Sequence, residues 1–388
     1  MAEAHEASNS GHMSTAAHPE RSADACDGGV GEGAAGELVL NAGDYEAHIN
    51  HVGASLRSLT FKGHPLTDTY SLDDGDTSDD GSGGIPFCAG IVLAPWPNRV
   101  RDGAFTYQGE SYNLELTEPE RDNAIHGLVG TRVWQDTTPD SANEGTDHRV
   151  GELTGHIAPT TGWPWAMTVT ARFELNEDAG LTATYTVSND SEDVAPVAFG
   201  VHTYLNAWGT PLDECTAYVP VTDCLPLDSE RNLPVEPLRL VPLCEGNTQA
   251  ETQLGIQRND SDNARETANL PSSLDFENGQ PLHGVWLDHA FVDARSAAQP
   301  RHIRLVHTSG HGVELTADPA MNWFQIFTAD PNHGQGFPGR GRALAVEPQT
   351  APPDALRSGV GLVDLAPGSV TTYSITCLLY TSPSPRDS

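Results

Sequence analysis

Five short segments place titratable or strongly hydrogen-bonding side chains inside apolar or turn-forming surroundings. They are "PWPNRVRDG" (95–103), "DNAIHGLVG" (122–130), "FGVHTYLNAWG" (199–209), "WLDHAFVD" (286–293) and "LAVEPQTAPPDAL" (344–356). An imidazole ionises near pH 6.5, so His126 and His202 are each either core histidines with satisfied rings or groups that exchange a proton near neutrality. Glu347 follows Leu-Ala-Val and precedes a proline. Such a carboxylate is either a structural acceptor for backbone N–H groups or a general base. The Arg99 guanidinium and the Asp288 carboxylate both form paired hydrogen bonds, which suit vicinal hydroxyls as well as they suit a salt-bridge partner.

The elements that must bring these residues together are strands. In "AMTVTARFELNEDAGLTATYTVSND", Met167, Val169, Ala171, Phe173 and Leu175 alternate onto one face, "NEDAG" turns the chain, and Leu181, Ala183, Tyr185 and Val187 resume the alternation. Period two over that length predicts a half-buried hairpin. "AFTYQGESYNLEL" behaves alike, with Phe105 and Tyr107 before a glycine turn and Tyr112, Leu114 and Leu116 after it. So does "HIRLVHTSGHGVELTA", through Ile303, Leu305, Val313 and Leu315. Helical spacing is not evident, and 38 glycines and 28 prolines punctuate the chain. The class read from this pattern is all-β, a large antiparallel β-sandwich.

Composition narrows the partners. Fifty-four acidic residues face twenty basic ones, for a net charge of −34, and Lys62 is the only lysine. That balance disfavours nucleic acid and membrane surfaces, and no apolar run is long enough to span a bilayer. With no signal-peptide pattern the expectation is a cytoplasmic protein, its six scattered cysteines reduced. No metal site is expected, since His307 and His311 straddle a glycine turn; Trp323 is expected in the core. Residues 1–35 read as a disordered acidic tail, 71–84 as an acidic surface loop and 245–273 as a polar excursion. The last segment, "CLLYTSPSPRDS" (377–388), resembles translated sequencing-adapter DNA and is set apart from the 36–376 domain.

Taken together, the five segments resemble the aldose 1-epimerases, or galactose mutarotases. The matching residues are Asn98-Arg99-Val100 with the turn Arg101-Asp102-Gly103, then Asn123, His126 and Gly127, then Gly200 to Asn206. Asp288-His289-Ala290-Phe291 and the run Glu347 to Ala355 complete the set, in the family's order. One departure is Thr203, where a proline usually follows the second histidine.

The resemblance implies a galactose mutarotase-like supersandwich that interconverts the α and β anomers of a free hexose without any cofactor. It implies that Glu347 is the base at the anomeric hydroxyl and His202 the acid toward the ring oxygen, the two facing each other across the sugar, with His126 hydrogen-bonded near that oxygen. Asn98, Arg99 and Asp288 would hold other hydroxyls, and Gly127 would keep the wall beside His126 low. Two other readings are a non-catalytic carbohydrate-binding protein and an epimerase of a phosphorylated hexose. The first does not need Glu347 and His202 together, and the second calls for a cluster of cations that is not evident. Oligomeric state is open.

Overall fold

The computed structural model describes residues 36–70, 85–143, 148–243, 252–259, 261, 263–271, 274–295 and 299–381. The expected tail (1–35) and acidic loop (71–84) lie outside them. The 166–190 hairpin forms as Met167–Asn176 paired antiparallel with Gly180–Asn189, and its alternating apolar side chains are buried. It sits inside a nine-stranded antiparallel sheet. Arg149–Ile157 lies on one side of it; on the other follow Val370–Thr381 and the second long hairpin, Arg301–His307 with His311–Ala317.

A second sheet faces this one across the main core. Its central strands run in the order Asp223–Leu225, Asp288–Val292, Trp323–Ala329, Ala343–Gln349 and Gly200–Val201. Side-chain parity divides their residues. Phe291, Phe324, Ile326, Leu344 and Val346 belong to the core shared with the first sheet, where Phe199 bridges the layers by packing against Tyr185 and stacking on Tyr373, with ring centroids 5.1 and 5.0 Å away. Asp288, Gln325, Phe327 and Glu347 point the other way, into a cavity. Because successive side chains alternate faces, the apolar residues that fix the register also fix which polar ones face outward. Trp323 is buried in a side cluster with Leu225, Leu240 and Val292.

Among the described residues, helix is confined to isolated turns such as Ala264–Thr267 and Ala355–Ser358. No described helix is long and apolar enough to cross a membrane.

Three sequence expectations need correction. Leu116 lies past its strand, which ends at Asn113, and is exposed. The excursion after Leu243 is not wholly polar on the outside: Leu254 and Ile256 pack into the Trp323 cluster, and Arg258 grips the buried Asp223 carboxylate through two hydrogen bonds of 2.5 and 2.8 Å. The last strand does not stop at residue 376 either. It runs through Thr381, with Cys377 opposite Leu181 and Leu315 and buried in the core, and the Leu379 N–H donating to the Tyr45 hydroxyl at 3.0 Å. Ladder hydrogen bonds belong to the backbone, so β-compatible residues of the right parity can extend a strand along a waiting neighbour, here His311–Ala317.

Truncation after Thr376 is therefore expected to destabilise the protein relative to truncation after Thr381. Each lost ladder hydrogen bond is worth about 0.5–1.5 kcal/mol, and the buried Cys377 is lost with them. Urea unfolding of the two truncated forms measures the difference; coincident midpoints would show that residues 377–381 add nothing.

Candidate active site

Glu347 is only 2% exposed, although it is a carboxylate on a central strand. It lies opposite Gln325, which in turn lies opposite Ala290 one strand further on. The Gln349 amide donates to Glu347 Oε2 at 2.9 Å, and the other oxygen, Oε1, stands 3.3 Å from His202 Nε2. Gln325 donates to Asp288 Oδ1 at 2.6 Å and accepts from the Asn98 amide at 3.2 Å. A buried polar row is tolerated where its members satisfy one another, as Asn98, Gln325 and Asp288 do, whereas His202 Nδ1 has no hydrogen-bond partner among the described residues.

His202 follows the short strand Gly200–Val201, which pairs with Leu93 and Gln349. Its backbone N–H donates to the Ile91 carbonyl at 3.1 Å and its carbonyl accepts from Gly90 at 2.8 Å. The ring stacks on Tyr204 and meets His126 edge-on, both centroids 5.4 Å away. Thr203 serves the sheet through its backbone, its carbonyl accepting from the Val346 N–H at 3.0 Å.

His126 reaches the cavity from a two-stranded ribbon, Arg99–Arg101 with Asn123–Ile125. Its backbone N–H donates to the Asn98 carbonyl at 3.0 Å, and its ring Nδ1 accepts from the Asn98 N–H at 3.3 Å. An N–H donor aimed at Nδ1 makes that nitrogen the acceptor, so the neutral ring carries its proton on Nε2. Both Asn98 and His126 adopt left-handed backbone angles. Gly127 does not lower the cavity wall as the sequence suggested. With φ at +76°, its missing Cβ would lie 2.1 Å from the Ala94 carbonyl oxygen, so glycine is required for the close approach of two backbones.

Arg99 is held by Glu118: Nε donates at 2.8 Å and Nη2 at 2.7 Å to its two oxygens. Asp288 Oδ2 accepts from the Asn232 amide at 2.7 Å. All six residues singled out in the sequence, Asn98, Arg99, His126, His202, Asp288 and Glu347, line one cavity of about 330 Å³. Sequence reasoning missed Gln325 and Glu118. Gln325 had a visible signal as the lone polar residue among "WFQIF"; Glu118 sits in "LTEPERDN" and looks like an ordinary surface charge.

The family model of the aldose 1-epimerases matches residues 37–377. The chain belongs to the aldose 1-epimerase family. An uncharacterised relative in Escherichia coli K12, YihR, is 28% identical over 333 residues, which is 85% of this chain and 89% of that protein. Among solved structures, a galactose mutarotase-like protein from Clostridium acetobutylicum superposes with a TM-score of 0.67 at 18% identity, covering 89% of this chain and 95% of that one. A galactose 1-epimerase from Lactobacillus acidophilus gives 0.63 at 17% identity, with the same coverages. At those identities the structural likeness speaks to the fold.

Burial sets the proton affinities in this aldose 1-epimerase family cavity. It drives the Glu347 carboxyl well above the usual carboxylate range, with repulsion from Asp288 adding to the effect and Gln349 and Arg99 opposing it. Burial likewise pushes His202 down to about 3, helped by the Arg99 charge, and holds His126 well below the ordinary histidine value, helped by His202 and Arg99. Glu118 moves the other way. Burial would raise it, but Arg99 and Asn123 hold it below the normal glutamate value. Burial thus favours the uncharged forms of both neighbours, a protonated Glu347 beside a neutral His202.

A stability consequence follows with a definite sign. The unfolded chain protonates His202 near 6.5 and the folded protein only near 3, so the folded state loses stability as the pH falls through that interval. His202→Asn is expected to remove one proton's share of the acid slope, about 1.4 kcal/mol per pH unit. Urea midpoints between pH 4 and 7 measure it; parallel slopes for both proteins would contradict the burial of a neutral imidazole.

Proposed function

We propose that this protein is an aldose 1-epimerase that interconverts the α and β anomers of a neutral free hexose. The observation that carries the reading is the 3.3 Å contact between Glu347 Oε1 and His202 Nε2 at the wall of the cavity. The anomeric oxygen and the ring oxygen of a pyranose are bonded to the same carbon. A base for one and an acid for the other must therefore stand side by side, as these two do, rather than across the ring as the sequence suggested.

Ring opening takes the proton from the anomeric hydroxyl to Glu347 and delivers one from His202 to the ring oxygen, breaking the C1–O5 bond. The open-chain aldehyde turns about C1–C2, and reclosure on its other face returns both protons. Opening leaves a protonated Glu347 beside a neutral His202. Burial favours that same arrangement in the resting protein, so the proton must first pass from Glu347 to His202 for opening to begin, and opening returns the pair to its favoured form. His126, with its proton on Nε2, donates toward the ring oxygen. Arg99, Asp288 and Asn98 hold hydroxyls.

Charge favours a neutral substrate over a phosphorylated one. Beside the Glu347 carboxyl, which burial keeps protonated, the carboxylates of Glu118, Glu120 and Asp288 line the cavity against Arg99 and Arg121. Arg99 is engaged by Glu118, and Arg121 lies 3.8 Å from the same carboxylate. A second anion brought in by the substrate would meet net repulsion.

Polarimetry tests the reading. Freshly dissolved α-D-glucose or α-D-galactose is expected to reach anomeric equilibrium faster with the protein, and Glu347→Gln is expected to slow it by about 10²–10⁴ while sugar still binds. Binding by both proteins with acceleration by neither would leave a lectin-like protein instead. The pH profile of kcat/KM is a separate check. One shared proton is active while none and two are not, so the profile should be a broad bell whose acid limb lies well below the ordinary histidine value of 6.5. An acid limb at 6.5 would contradict the shared proton.

A further inference from the structure

Arg99 and Asp288 stand on different elements, the 99–101/123–125 ribbon and the second sheet. Two hydrogen-bonded routes join them. The inner one runs along the cavity floor, from Asp288 through Gln325 to Asn98, whose peptide leads directly to Arg99. The outer one passes over a turn at residues 228–234 that the mechanism does not use.

Asp228 builds that turn. Its carboxylate accepts from the N–H groups of Glu230, Arg231 and Leu233, and its backbone pairs with Asn232 and Leu233. An Asx-type turn of this kind is stiff, because one side chain satisfies several successive backbone donors. From it, two neighbouring side chains reach in opposite directions. Arg231 goes to the ribbon, where its guanidinium donates to the carbonyls of Arg121 and Asp122 at 2.8 and 2.6 Å, to Asp102 Oδ1 at 2.8 Å and to Asn123 Oδ1 at 3.2 Å. The Asn123 amide returns a bond to the Arg231 carbonyl at 3.0 Å and another to Glu118 at 2.9 Å, and Glu118 holds Arg99. Asn232, in a left-handed conformation, goes to the sheet and donates to Asp288 Oδ2 at 2.7 Å.

We infer that the Arg231–Asn232 turn is a strap that closes a hydrogen-bonded ring around the cavity and fixes the gap between the Arg99 and Asp288 side chains. Arg231 is a positioning residue: it touches neither Glu347 nor His202, and it acts on the sugar only through the side chains it braces. The inference rests on the reading of the cavity as a sugar site. Its consequence is a split between binding and chemistry. A loosened gap weakens the grip on hydroxyls in ground state and transition state alike, which raises KM and leaves kcat nearly unchanged.

The test compares the wild type with Arg231→Ala, Arg231→Lys, Asn232→Ala and the double alanine variant. D-galactose and D-glucose binding is measured by calorimetry, anomerisation by polarimetry and folding by circular dichroism. Kd and KM are expected to rise about tenfold or more in each alanine variant, with kcat for Arg231→Ala within about threefold of wild type. Arg231→Lys keeps the charge but cannot reach the same set of acceptors, and should resemble Arg231→Ala.

Both cuts weaken the same strap, Asn232→Ala by breaking it and Arg231→Ala by leaving only the Asn123 bond to the carbonyl of residue 231, so the double variant should be no worse than the poorer single one. Unchanged Kd, a fall in kcat without a rise in KM, or losses that multiply in the double variant would overturn the strap. Should Arg231→Ala not fold, Asn232→Ala and Arg231→Lys decide on the same criteria. A wild type that binds sugar without accelerating anomerisation removes the proposed function and leaves the strap to the binding data. A wild type that neither binds nor accelerates removes both.

Discussion

Keeping a carboxyl and an imidazole together out of water is the constraint on which the rest of this molecule depends. Taking either group into the interior costs several kcal/mol if it stays ionised, and the cost is avoided when the carboxyl is protonated and the imidazole neutral. That solution works only if neither group can swing away to solvent. Glu347 is fixed on a strand flanked by partners on both sides, and His202 on a segment whose backbone is tied to Ile91 and Gly90. The large apolar core between the two sheets supplies the rigidity. It also keeps both side chains almost wholly out of water.

The acidic composition acquires a particular meaning in this setting. Apart from Lys62 the basic residues are arginines, and several serve as internal staples: Arg258 on Asp223, Arg301 on Asp293, Arg342 on Asp330 and Arg99 on Glu118. The planar guanidinium can satisfy both oxygens of a carboxylate at once, which a lysine cannot, so arginine is the suitable cation for buried pairs. Cations spent inside do not offset the acidic exterior. Repulsion among the surface carboxylates is then a long-range term that added salt screens, while the buried pairs are screened much less.

The cavity is assembled from pieces with different mechanical character. Asp288, Gln325 and Glu347 come from adjacent strands of one sheet and keep a fixed spacing. Arg99, Asn98 and His126 come from a small ribbon that must be braced against that sheet, through Asn98 and Gln325 below and through the 228–234 turn above. Left-handed residues flank both ends of the ribbon, Asn98 and His126 at the cavity end and Asp102 and Asp122 at the other. Strained backbone of this kind is stable only when its surroundings hold it, and here the hydrogen bonds of Asn98 and His126 to each other do so.

Much of this was legible in the sequence. The alternations at 167–187 and 303–315 specified strand positions and faces, because a period of two admits a single partition of side chains between core and surface. Glu347 stood out because a carboxylate in an apolar strand needs a reason, and the six candidate residues did converge. Other features could not be read along the chain. Glu118 and Asn232 look like loop residues, and the role of Arg231 depends on acceptors more than a hundred positions away. Gly127 was misread because its neighbour, the Ala94 carbonyl, is close only in space. The sequence by itself determined residue chemistry and local period, which are properties of neighbouring residues. Only tertiary structure decided that Glu347 and His202 stand 3.3 Å apart and out of water, because that depends on the pairing of distant strands and on a core that no single segment contains.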